Sequence, residues 1–193
     1  EGSVTVIVSG SALGYYGDRG DELLQEDSPQ GSGFLSEVCK RWEDAALQAP
    51  SHTRVVLLRT GFVIGSQGGF LKPLKAIAKL GLSGPLASGR QWWSWVHLVD
   101  AVGLIIHALE NETVQGPVNV CAPQAVRQRD FARALSESVR RPSLLPAPSF
   151  ALKWVLGEFA SEVLSSRRMI PTVALTTGYG FHYPELEAAL SDS

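Results

Sequence analysis

Two apolar runs rich in β-branched residues, with a helix-periodic segment between them, restrict this chain more than any other feature. Residues 4–9 read VTVIVS and residues 54–59 read RVVLLR, nearly continuous apolar runs of the kind buried on both faces of a parallel sheet. Between them, residues 34–48 carry Leu35, Val38, Trp42, Ala45 and Ala46 on one side of a helical period, closed by Pro50. A strand–helix–strand crossover of this length joins parallel strands. The predicted fold class is therefore α/β with a parallel sheet. Downstream, the pattern predicts helices over 71–80, 100–109 and 128–140 and a short strand and turn in GPVNVCAP. The proline-rich PSLLPAPSF leads to a helix near 150–155, then to an extended stretch and a short helix from Glu185.

Composition removes several classes of function. A formal net charge of -2 argues against a nucleic-acid partner, which needs a concentrated basic face. No apolar run approaches the roughly 18 to 20 residues that span a bilayer. The two cysteines have no CxxC spacing, which points to a reduced, intracellular and cytoplasmic protein. The four histidines show no metal-ligand spacing, so no metal site is expected. A strand three residues after Glu1 reads as the C-terminal portion of a longer protein, whose targeting segment would not be visible.

Several residues stand where chemistry is done. Ser11 lies just past the first predicted strand, on the carboxyl edge where open α/β sheets bind ligands. Arg59 and the turn at 60–65 follow the second strand, with Gly61 permitting close backbone approach. The competing reading is a capped strand end, with Arg59 on a surface carboxylate. Trp92, Trp93 and Trp95 fall within four positions, too close for all three to face one core, so at least one is expected to line a cleft or interface. Asp100 is expected to cap a helix, His97 to be hydrogen-bonded inside, and Asn119 to tie a loop. Neither GSGFLS nor GLSGPLASG sits between a strand and a helix as a dinucleotide fingerprint requires.

The order of SGSALGYYG, EVCKRWE, RTGFVIG and a terminal MIP followed by TTGYGFHYPELEAAL resembles the atypical extended short-chain dehydrogenases/reductases of the epimerase-like 39U family. The likeness covers essentially the whole chain and is most specific in its C-terminal motif. It implies the C-terminal part of a Rossmann-like parallel sheet over residues 1–66, joined to a smaller α/β substrate domain over 67–193. The family-specific segment would begin at about residue 143. It also implies NADP as cofactor and an unidentified small carbonyl or alcohol as substrate. Ser11 would hydrogen-bond the reacting oxygen and Lys40 the nicotinamide ribose. Ser9, Arg59, Gly61 and Val63 would lie along the cofactor, and Trp93 and Trp95 beside the substrate. The alternatives are a catalytically silent NADP(H)-binding regulator and a truncated form that binds no cofactor.

Two departures from the pattern matter. Ser36 stands where these enzymes carry a tyrosine, four residues before Lys40. A serine hydroxyl is a far weaker acid than a phenol of pKa ~10. The proton donor then falls to Tyr16, to Tyr15 or to a water held by Ser36, unless Tyr16 simply packs in the sheet edge. The diphosphate cradle is also missing. Finally, no arginine adjoins Trp93 to hold a substrate diphosphate, which favours a flatter or more apolar substrate than a nucleotide sugar.

Overall fold

The computed structural model describes residues 4–66, 68, 71–141 and 160–193. Its centre is the predicted crossover. Strand β1 (Val6–Ala12) ends in a 3-10 turn (Leu13–Tyr16), and after β2 (Leu23–Leu24) the chain forms helix α1 (Phe34–Ala46) and strand β3 (Arg54–Thr60). Next come β4 (Phe62–Ile64), α2 (Leu71–Lys79), β5 (Trp92–Trp93), β6 (Trp95–His97), α3 (Leu98–Glu110) and β7 (Gly116–Val120). The chain continues through β8 (Val126–Arg127), α4 (Gln128–Ser138), α5 (Ala160–Leu164), β9 (Arg168–Met169), α6 (Thr172–Thr176) and α7 (Leu186–Asp192). The helix predicted near 150–155 lies outside the described residues.

The main sheet is parallel, in the order β1-β3-β7. Its register runs from Val6 opposite Arg54 to Ala12 opposite Thr60, and from Val56 opposite Gly116 to Thr60 opposite Val120. Strand alternation divides its side chains cleanly. Val56, Leu58, Val118 and Val120 point into a core closed by Ala101, Leu104 and Ala108 of α3 and by Ala174 of α6. The opposite face receives α1. A second core joins Trp93, Trp95, Phe131, Leu135 and Leu190 from β5, β6, α4 and α7. Arg54 ties α3 to the sheet by donating to the carbonyls of Ala108 at 2.7 Å and Val114 at 2.6 Å, a cation at a helix C-terminus.

Three elements differ from expectation, each for a physical reason. Strand β1 runs on through Ser11, because Ser11 and Ala12 still pair with Arg59 and Thr60. Helix α1 turns the small and polar Ser36, Cys39 and Glu43 toward the sheet and leaves Trp42 54% exposed. Glu43 is drawn inward by a buried cation on β3, which outweighs the apolar stripe on the other side. Helix α3 begins at Leu98, capped by His97, whose Nδ1 accepts from the Val99 amide at 3.3 Å. Asp100 is therefore not the cap. It sits buried in the first turn, accepting from the amides of His182 at 2.8 Å and Tyr183 at 2.9 Å and from the Tyr179 hydroxyl at 3.1 Å.

Candidate functional site

Register places Ser11, Arg59 and Asn119 side by side on β1, β3 and β7, one strand apart, at the carboxyl end of the sheet. All three face α1 rather than the α3 core, and all three are buried. A charged side chain in such a place needs partners, because desolvating it alone costs several kcal/mol. Arg59 finds them on every side. Its Nε and Nη2 grip Glu43 of α1 in a two-pronged ion pair at 2.9 Å each. Its Nη1 donates to the Tyr16 hydroxyl at 3.0 Å and to the Glu26 carbonyl at 3.0 Å. The Tyr15 ring lies against the guanidinium, 3.5 Å from its carbon to the ring centroid.

The rest of the row completes this arrangement. The Ser11 hydroxyl donates to Glu43 Oε1 at 2.7 Å. The Tyr16 hydroxyl donates to Asn119 Oδ1 at 2.7 Å, and Asn119 Nδ2 donates to the carbonyls of Ile170 at 2.9 Å and Leu24 at 3.1 Å. The asparagine thus ties β2 and β9 to the end of β7. Glu26 Oε1 accepts from the amides of Asn119 at 3.2 Å and Val173 at 3.0 Å, while its buried Oε2 has no hydrogen-bond partner among the described residues. Burial pushes the Tyr16 phenol up to about 12, against the nearby Arg59 charge, which pulls it down.

The sequence-predicted residues therefore divide into two groups. Ser11, Tyr16 and Arg59 meet inside, with Ser11 and Tyr16 donating to protein acceptors and four of the five Arg59 N–H groups engaged. Arg59 sits on a buried carboxylate, neither at the surface nor facing outward. Gly61 makes its close approach to main chain: a Cβ there would stand 2.6 Å from the Ser94 carbonyl oxygen. Val63 pairs with Val96 in β4 and β6 and packs on the α3 core. Trp93 and Trp95, two residues apart and so on one side of the chain, share the second core, while Trp92 stacks at the surface under Arg127 and Arg168.

Other side chains stand outside the closed row. Lys40 lies on the flank of α1, half-exposed and ion-paired with Asp44, whose hydrogen bond raises its pKa. Ser9 is half-buried on β1, whose outer edge carries no ladder among the described residues. Tyr15 is partly exposed, and its hydroxyl has no hydrogen-bond partner among the described residues. Its main-chain carbonyl is held by the Ser36 hydroxyl at 2.8 Å and the Gly31 amide at 3.0 Å. The residue in the tyrosine's place thus fixes the backbone of another tyrosine.

Glu43 and Glu26 were not singled out in the sequence. The only hint of Glu43 is that it falls seven residues after Ser36 and four after Cys39, on one helical face. Glu26 lies in a loop and carries no periodic signal.

Comparison with known proteins places this geometry. The chain is 42% identical over 190 residues to the chloroplastic SDR39U1 homolog of Arabidopsis thaliana, covering 98% of this chain and 55% of that protein. It is 39% identical to the mouse epimerase family protein SDR39U1, over 97% of this chain and 64% of the relative. The crystal structure of human SDR39U1 (isoform2) with NADPH matches with a TM-score of 0.93 and 34% identity, over 97% of this chain and 64% of that one. The chain belongs to the SDR39U1 epimerase family. Residues 147–193 match the family profile described as a domain of unknown function (DUF1731), the C-terminal domain of these proteins. A nucleoside-diphosphate sugar epimerase from Corynebacterium glutamicum matches with a TM-score of 0.80 and 32% identity, over 97% of this chain and 37% of that one. The chain thus spans less than two thirds of the length of these SDR39U1 relatives. Among the described residues no helix is long and apolar enough to cross a membrane, and no His/Cys/Asp/Glu cluster could hold a metal.

Proposed function

We propose that this chain serves an NADP(H)-dependent oxidoreductase acting on a small carbonyl or alcohol, with residues 1–66 on the cofactor side and 67–193 on the substrate side. The observation that carries this reading is the 0.93 TM-score to a relative whose crystal structure contains NADPH. The residues outside the closed row fit the nicotinamide end of such a cofactor. Lys40, on α1, offers an ammonium, and Ser9, on β1, a hydroxyl without a partner among the described residues. Among the described residues no glycine-rich strand–helix turn offers a diphosphate cradle, so the fit concerns that end alone.

When bound, NADPH supplies a hydride to a carbonyl carbon. Tyr15 donates the proton to the developing alkoxide, in place of Tyr16, whose hydroxyl is buried and committed to Asn119. Ser36 and Gly31 hold the Tyr15 main chain, and the Arg59 guanidinium supports its ring. Arg59 and Glu43 are positioning residues. Ser11 acts in the same way, because its hydroxyl proton goes to Glu43. Lys40 binds the ribose. Two buried free cysteines, Cys39 and Cys121, support a reducing compartment. The second reading, a silent NADP(H)-binding regulator, draws support from Ser36 in the tyrosine's place.

NADPH fluorescence titration tests this reading on the chain alone and on the chain joined to the part of the Arabidopsis relative that it does not cover. Binding by the joined form, weakened by Lys40→Met, is expected. Tyr15→Phe should leave binding intact and abolish NADPH oxidation by a broad carbonyl panel. If neither form binds NADPH, the oxidoreductase and regulator readings both fall. If the joined form binds but oxidises no carbonyl, the regulator reading replaces the enzyme.

A further inference from the structure

A cavity of about 120 Å³ opens between α2, the loop at 80–89 and α4. Trp93, Phe131 and Leu135 form its buried floor, and Ile77 and Leu82, 45% and 52% exposed, form its rim. Two polar side chains interrupt this apolar lining, Ser83 and Gln128, the latter only 2% exposed. Gln128 Oε1 accepts from the Leu86 amide at 2.7 Å, which orients the side chain and leaves its Nε2 as a donor. Neither that Nε2 nor the Ser83 hydroxyl has a hydrogen-bond partner among the described residues.

We infer that this cavity is a binding site for a small, flat, uncharged molecule with an apolar body and one hydrogen-bond acceptor, such as a carbonyl oxygen. Size, charge and hydrogen bonding converge on that class. An apolar protein cavity of about 150 Å³ holds benzene, so this one takes roughly five or six non-hydrogen atoms. Among the described residues no lysine, arginine, aspartate or glutamate lines the wall, so a phosphate or carboxylate would lose its hydration without compensation. Two donors interrupt the apolar wall, and a single ligand oxygen can accept from them. The Trp93 ring meets Phe62 with centroids 5.0 Å apart, and Phe62 packs against the cluster containing Tyr16. The cavity is thus one aromatic layer from the buried polar row. Its ligand class is the apolar one favoured by the missing arginine beside Trp93, and not a nucleoside diphosphate.

This assignment goes beyond the NADP(H) reading and does not depend on it, so its test omits the cofactor. Cyclopentanone and methylenecyclopentane have nearly the same shape, but only the ketone carries an acceptor. Each is titrated into the ¹⁵N-labelled chain, with the Gln128 side-chain amide and the Ser83 backbone amide followed by NMR. Saturable shifts at both positions are expected with cyclopentanone, and weaker binding with the hydrocarbon. Ser83→Ala should weaken the ketone by about two- to tenfold and leave the hydrocarbon unchanged. Absence of saturable shifts with either probe in the folded wild-type chain overturns the site. Equal affinity for both probes, unaffected by Ser83→Ala, overturns the acceptor-specific class. A chain that binds NADPH but neither probe leaves the cofactor reading standing and removes this one.

Discussion

The ion pair between Arg59 and Glu43 should dominate the stability of the carboxyl edge, and a double-mutant cycle measures it. Both side chains are almost fully buried, at 3% and 5% exposure, with a two-pronged contact at 2.9 Å. Glu43→Gln leaves the guanidinium in place without its counter-charge and disturbs the hydrogen bond from Ser11. Breaking a buried pair from one side costs about 3–5 kcal/mol. For a chain of this size that corresponds to a loss of roughly 6–20 °C in melting temperature. Arg59→Met should cost a similar amount, because it strands a buried carboxylate. Replacing both, as Glu43→Leu with Arg59→Met, removes the uncompensated charge and leaves mainly the Ser11 hydroxyl without its acceptor, a cost of about 1–3 kcal/mol. The double variant should therefore be more stable than either single variant. Urea unfolding followed by circular dichroism gives all four corners of the cycle, and 0.5 M added salt tests burial, since a buried pair is little screened. The reasoning fails if Glu43→Gln costs less than about 1 kcal/mol, or if the double variant loses the sum of the two single losses.

Two further outcomes follow from the same edge. The Tyr16 phenol is pushed up by burial to about 12, above the 10.0 of a free tyrosine, so the folded state favours its neutral form. Its stabilising contribution is complete below pH 10 and is lost as pH rises through 12; Tyr16→Phe should flatten that alkaline decline and remove one high-pH phenolate transition at 295 nm, and an unchanged profile would refute the assignment. At Gly31 an added Cβ would lie 2.0 Å from the Tyr16 carbonyl oxygen and 2.7 Å from the Gly17 amide nitrogen, both main-chain atoms that cannot rotate away. Gly31→Ala should therefore destabilise by about 3 kcal/mol, at the upper end for overpacking, and wild-type-like urea unfolding would show that the turn has room.

Where sequence reasoning succeeded and failed on this chain has a common cause. The crossover was legible because a buried parallel strand is recorded locally, as in Val55, Val56, Leu57 and Leu58, and needs no knowledge of its neighbours. The edge chemistry was not, because it depends on register: Ser11, Arg59 and Asn119 become adjacent only when three strands align. Helix α1 shows how far this reaches. Its apolar stripe through Leu35, Val38 and Trp42 predicts the buried side, yet Ser36, Cys39 and Glu43 pack on the sheet and Phe34 stands 80% exposed. A hydrophobic period identifies the inward face only when the partner surface is itself apolar. Here the sheet offers a cation at Arg59, and a carboxylate is the side chain able to cover it. Once Glu43 is spent on that cation and Ser11 on Glu43, neither is free to act on a ligand. Tyr15, held by Arg59 at its ring and by Ser36 at its main chain, is partly exposed, and its hydroxyl has no hydrogen-bond partner among the described residues. On the function proposed above, serine at position 36 leaves Tyr15 to take the proton-donor role, held through its main chain by that same serine.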